Sequence, residues 1–119
     1  MSDEFLKVAT AEINNEISEI QNILNSCQSS LDVSANAAKI QKSTHKIKGL
    51  APMMGKEDLG NLSGLLDSLL KKIMNGIIVN DLLESLIMAV DEMKKSMTYP
   101  NYNLDKIKHR ISNLSPALS

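Results

Sequence analysis

His45-Lys46-Ile47-Lys48-Gly49-Leu50-Ala51-Pro52-Met53-Met54-Gly55 decides the fold, because it sets one imidazole inside a helical pattern yet off its apolar stripe. Ala37, Ile40, Thr44, Ile47, Ala51 and Met54 recur at alternating spacings of three and four, which is the period of an α-helix with one buried face. At roughly 100° per residue, His45 stands about 130° from the centre of that stripe. It faces outward together with Ala38, Gln41, Lys42, Lys48, Gly49 and Pro52. The helix is expected over about 34–54, with Asp32 or Ser34 as its cap. Pro52 removes one backbone donor but falls in the last turn, where that loss is tolerable, and reads as an end-marker.

The same periodicity extends both ways along the chain. Phe5, Ala9, Ile13, Ile17, Ile20, Leu24 and Cys27 form the stripe of a first helix over about 3–27, closed by Gln28-Ser29-Ser30. Leu59, Leu62, Leu66, Leu69 and Ile73 mark a helix over about 56–75, with Gly76 as the residue just past its end. Leu82, Leu86, Val90, Met93 and Met97 mark another over about 81–98. Asn80 or Asp81 is its cap, and Asp81 with Glu84 has capping-box spacing. Tyr99-Pro100-Asn101-Tyr102 ends it, and Leu104, Ile107, Ile111 and Leu114 predict a short last helix over about 103–114, stopped by Ser115-Pro116. No strand, repeat or low-complexity segment is visible. The expected fold is all-α: one domain over 1–119, an antiparallel up-and-down four-helix bundle with a short fifth C-terminal helix.

The outward face suits a nucleophile that accepts a phosphoryl group. A neutral imidazole is an available nucleophile near neutral pH. Lys48, one turn on, would disfavour the protonated ring and attract phosphate oxygens. Phosphoryl transfer leaves a protein mainly positioning and charge neutralisation to perform, and a lysine at this spacing supplies part of it. A glycine inside a helix costs roughly 0.5–1 kcal/mol against alanine, so Gly49 needs a reason, and open access to the ring is one. On the next helix Asp67 is offset from its stripe by about the same angle as His45, on a side shared with Gly60, Ser63, Gly64 and Lys71. Antiparallel packing of the two helices around Gly55 would let Asp67 and His45 meet along one groove, with the glycines permitting close approach.

These residues resemble the histidine phosphotransfer (HPt) family, and most closely the N-terminal HPt domain of CheA-type chemotaxis histidine kinases. The family core reads His-x-x-Lys-Gly, then a small residue two positions on and a glycine near the helix end. Here those are His45, Lys48, Gly49, Ala51 and Gly55. The family continues with a leucine-rich helix whose carboxylate hydrogen-bonds the phosphorylated ring, and Asp67 in Leu65-Leu66-Asp67-Ser68-Leu69-Leu70 matches that position. The family more often has the longer glutamate there. The resemblance covers almost the whole chain. It implies a phosphoryl carrier of a two-component or chemotaxis system rather than an enzyme. His45 would receive phosphate from a histidine kinase catalytic domain and pass it to an aspartate of a response-regulator receiver domain. His45, Lys48, Asp67 and Gly49 would form the reactive group, and Gln41, Lys42, Lys46 and Gly64 the surrounding partner-binding surface, with the lysines suited to an acidic receiver. No cofactor is expected in the domain itself, since it has no glycine-rich nucleotide loop or acidic Mg²⁺ cluster; ATP and Mg²⁺ belong to the partner domains.

Composition narrows the rest. Of 119 residues, 43% are apolar and 23% charged, ordinary for one globular domain. A net charge of −1 argues against electrostatic capture of nucleic acid or of an anionic membrane. With one Phe, two Tyr and no Trp there is little to stack on bases, and seven Met favour adaptable packing. The single cysteine, Cys27, cannot form an internal disulfide and lies on an apolar stripe, fitting a small core residue in a reducing cytoplasm. No leader pattern and no apolar run near ~20 residues is present, so a cytoplasmic domain is expected. His45, His109 and Cys27 fall on three separate helices and predict no metal site. His109, among Lys106, Lys108 and Arg110, reads as a solvated residue. The rival reading is a helical scaffold that binds a partner helix through a Met- and Leu-rich groove, with His45 incidental.

Overall fold

The stripes read from the sequence close on one another in the computed structural model, which describes residues 2–114. Six helices follow in order: α1 (Asp3–Asn25), α2 (Ser30–Ala35), α3 (Ala37–Met53), α4 (Glu57–Met74), α5 (Leu82–Thr98) and α6 (Asp105–Ser112). The fold is all-α, with no strand among the described residues. Ile13, Ile17 and Ile20 of α1, Ile40 and Ile47 of α3, Leu62 and Leu66 of α4, and Leu86 and Met93 of α5 are buried in a single core. Helix α3 packs chiefly on α4 and also on α1, α1 also meets α5, and α6 lies across α4 and α5.

The second helix departs from expectation. Instead of one element over 34–54 there are two, because the backbone leaves helical geometry at Asn36 (φ −107°, ψ 8°). Neither proposed cap operates there. The Asp32 carboxylate accepts from the Gln28 N–H at 2.7 Å, bracing the loop that precedes α2, and the Ser34 hydroxyl donates to the Ser30 carbonyl within it. Fully buried Val33 anchors this extra turn and a half, too short a piece to show a period of its own. The other helix ends lie within two residues of expectation, as ends that fray normally do. The Asp81–Glu84 capping box also fails to form. Asp81 is left-handed (φ 58°) and makes no side-chain cap bond, and the Leu83 N–H instead meets the Ser30 hydroxyl of α2 at 3.4 Å. The stop assigned to Ser115-Pro116 lies outside the described residues.

Two glycine turns behave as read. Gly55 (φ 79°) and Gly76 (φ 95°) follow α3 and α4 in the left-handed conformation. Each completes paired bonds back to the helix: Gly55 N–H to Pro52 O and Lys56 N–H to Ala51 O, then Gly76 N–H to Ile73 O and Ile77 N–H to Lys72 O. The turn at Gly55 folds α4 back along α3, so that Gly60 faces Pro52, Gly64 faces Lys48 and Asp67 faces Gln41 and His45.

At Gly60 the approach is close enough to forbid a side chain. A Cβ there would sit 2.7 Å from Pro52 Cγ and 2.9 Å from its Cδ, atoms of a rigid ring. Gly60→Ala gains about 1 kcal/mol of helix propensity but must part the two helices, at a cost of about 1–3 kcal/mol. The expected outcome is a lower melting temperature for Gly60→Ala, recovered in Gly60→Ala combined with Pro52→Ala. A Gly60→Ala protein that melts higher than wild type would show that the contact yields freely.

Candidate functional site

Helices α3 and α4 each carry a second, narrower stripe beside the apolar one. On α3 it is Gln41, His45, Lys48 and Pro52; on α4 it is Gly60, Gly64, Asp67 and Lys71. The hairpin lays these two stripes against each other. Small residues on α4 let the side chains of α3 lie across it, and the stem of Lys48 would pass about 3.8 Å from a Cβ at Gly64.

Asp67 is the centre of the arrangement. Its offset from the leucine stripe suggested an outer position, but its side chain is only 1% exposed, and Gly60 and Ser63 are buried with it. The correction has a simple cause: α4 is covered on two sides, by the core and by α3, and the second contact takes in the flank that a single stripe would leave to solvent. A carboxylate buried this way needs partners. The Gln41 amide donates to Oδ1 at 2.6 Å. The ammonium groups of Lys71 and Lys48 lie 3.2 Å and 3.8 Å from Oδ2.

Burial by itself would raise the Asp67 carboxyl pKa. The Gln41 hydrogen bond and the Lys71 and Lys48 charges outweigh it and hold the group below the usual carboxylate range. A depressed folded pKa contributes stability that is present above the unfolded value of about 3.9 and is lost as pH falls through the folded value. The stability gap between wild type and Asp67→Asn is therefore expected to be widest near neutral pH and to close in acid, measured by urea unfolding from pH 7 down to pH 2. A gap that stays constant with pH would mean that the carboxylate charge contributes nothing.

His45 lies at the mouth of this buried charge. Its side chain is 64% exposed, and Nδ1 stands 3.6 Å from Asp67 Oδ1. That is beyond a hydrogen bond, so ring and carboxylate face each other with a small gap. The orientation directs Nδ1 to the acid and leaves Nε2 as the outward nitrogen. A proton is favoured on the nitrogen that faces the negative charge, which leaves the ring's lone pair on Nε2. Gly49 is exposed, with nothing among the described residues within 4 Å of where its Cβ would be, so internal packing does not account for this glycine.

The remaining expected residues are placed as follows. Lys48 and Gly64 adjoin Asp67 as described. Gln41 is half-buried and serves the carboxylate rather than an open surface. Lys42 is exposed on the other flank of α3, beside Glu16 and Glu19 of α1, and Lys46 on that flank pairs with Glu16 at 3.3 Å. These two lysines stand apart from the His45–Asp67 groove. His109 is exposed on α6, with no carboxylate in ion-pair range among the described residues. Cys27 is partly buried against the core, and burial raises its thiol pKa, helped by the Asp32 charge. Two partners went unread in the sequence: Lys71 as an ion pair of Asp67, and Gln41 as its hydrogen-bond donor. Lys71 was signalled by its i+4 spacing from Asp67, and Gln41 by lying one turn before His45 on the same flank.

Comparison with family models, curated proteins and solved structures gives no match to any of them. No helix among the described residues is long and apolar enough to cross a membrane.

Proposed function

We propose that this chain is a histidine phosphotransfer domain in which His45 receives a phosphoryl group from a histidine kinase catalytic domain and yields it to an aspartate of a response-regulator receiver domain. One observation supports this above the others: an exposed imidazole on a packed helix, backed by a buried, hydrogen-bonded carboxylate. In the reading, Nε2 attacks the γ-phosphorus of ATP held by the kinase domain. The N–P bond forms as the bond from phosphorus to the bridging oxygen breaks, and ADP leaves with that electron pair. The ring becomes cationic, with its proton still on Nδ1 facing Asp67, which stabilises the charge. Return transfer reverses the electron flow: a receiver carboxylate oxygen attacks phosphorus and the N–P electron pair goes back to Nε2.

The same reading takes α1, α3, α4 and α5 as an antiparallel four-helix bundle with α6 appended, and α2 as part of the link before α3. It places the domain in a phosphorelay or chemotaxis pathway of the cytoplasm, as a substrate and carrier that needs no cofactor of its own. The test is direct. Purified protein incubated with phosphoramidate, or with ATP and a histidine kinase catalytic domain, should acquire phosphate that is labile in acid and stable in alkali. A chain that takes up no such label while fully helical would favour a scaffold instead.

Gly49 provides a finer check. Gly49→Leu is expected to raise helix stability by up to about 1 kcal/mol while placing a branched chain beside the ring on the open side. Transfer from a kinase domain should slow more than labelling by the much smaller phosphoramidate, read as the ratio of the two rates. An unchanged ratio would show that partners approach His45 from another direction.

A further inference from the structure

Asp67 draws on two lysines, and their placement differs in a way that divides their work. Lys71 lies on the same helix, one turn on, with Nζ 3.2 Å from Oδ2. Lys48 reaches the same oxygen from α3, at 3.8 Å, with its stem laid across the bare backbone of Gly64. Both side chains are about half exposed, whereas the carboxylate is sealed. A buried negative charge attracts any cation within reach far more strongly than an exposed one does. With a single lysine present, that lysine would be drawn onto Oδ2 and held there.

We propose that Lys71 is the standing counter-ion of Asp67 and a positioning residue of the transfer site, which leaves the Lys48 ammonium free to meet the phosphoryl oxygens at His45. The inference rests on the phosphotransfer reading above. Asp67, Lys48 and Lys71 together leave one excess positive charge beside the ring, which favours an incoming phosphoryl dianion. Without Lys71 the excess vanishes and Lys48 becomes the only ion-pair partner of Asp67 among the lysines here. Gln41 completes the arrangement: its amide donates at 2.6 Å to Oδ1, the same oxygen that faces Nδ1. Lys71 itself touches neither the ring nor, in this account, the phosphoryl group.

The experiment follows His45 labelling by phosphoramidate in the wild type, Lys71→Met, Lys71→Arg, Lys48→Ala and the Lys48→Ala/Lys71→Met double variant. In the reaction Nε2 bonds to phosphorus as the donor's P–N bond breaks and ammonia departs with the electron pair. Lys71→Met is expected to slow labelling about tenfold, and Lys71→Arg to restore it to within about twofold of wild type. In the Lys48→Ala background the effect of Lys71→Met should shrink below about threefold, because the residue that Lys71 frees is gone. Where wild-type His45 does take label, equal rates for wild type and Lys71→Met, or the same slowing with and without Lys48, would overturn the proposal. A second reading separates it from the function itself: NMR of the Lys48 side chain should show its ammonium becoming ordered on Asp67 in Lys71→Met. If wild-type His45 takes no label but Lys48 is captured, the phosphotransfer reading fails while the ion-pair division stands. An ammonium equally mobile in both proteins sinks the division.

Discussion

His45→Gln is expected to abolish phosphoryl uptake, by a factor of at least about 100, while leaving the fold in place. The loss is large because glutamine offers no nitrogen lone pair of comparable nucleophilicity, and no neighbouring group substitutes: His109 lies on α6, away from the carboxylate and the two lysines. Stability should change by no more than about 0.5 kcal/mol, since the ring is mostly in solvent and makes no hydrogen bond among the described residues. Labelling by phosphoramidate and chemical unfolding, run on the same preparations, check both halves. Persistence of the wild-type rate in His45→Gln would put the acceptor elsewhere.

Two residues along the same helix the expected effect inverts. Ile47 is fully buried in the core shared with α1 and α4, so Ile47→Ala removes three carbons from a packed interior. The expected loss is about 2–5 kcal/mol, from lost transfer energy plus the cavity left behind. For a domain of this size that is a substantial part of a total of about 5–15 kcal/mol. The drop should appear as a lower midpoint in urea. Under conditions where the variant stays folded, His45 should still take label, because the altered face points away from the ring. A midpoint unchanged from wild type would contradict the burial of this stripe. The two variants together test the division of α3 into a core face and a reactive face.

Much of the fold is visible in the sequence because the core-forming helices have regular stripes. Ala37, Ile40, Thr44, Ile47 and Ala51 are all buried as their spacing requires, and so are Leu59, Leu62, Leu66, Leu69 and Ile73. What escaped has physical causes. Helix α2 is six residues long with one buried side chain, Val33, so it has no period to detect. The Asp81 cap fails where the backbone is left-handed (φ 58°) instead of the extended conformation that capping residues adopt, a tertiary outcome that no spacing records. At the site, the pairing of His45 with Asp67 could be read because both residues stand off their stripes by similar angles. The depth of Asp67 could not, since an angular offset says how far a residue lies from one contact and nothing about a second helix arriving on that side. Lys71 and Gln41 were hidden by the same omission: they acquire a purpose only once the carboxylate is buried and must be satisfied.

In the proposed function His45 carries phosphate on Nε2 while Nδ1 keeps its proton toward Asp67. Nitrogen-15 and phosphorus-31 NMR of the labelled protein addresses this directly, since phosphorus coupling to the ring protons and nitrogens distinguishes the two positions and the two histidines. The expected result is a single N–P bond at Nε2 of His45, with a protonated Nδ1. Phosphorus on Nδ1 of His45, or on His109 at a comparable rate, would contradict it.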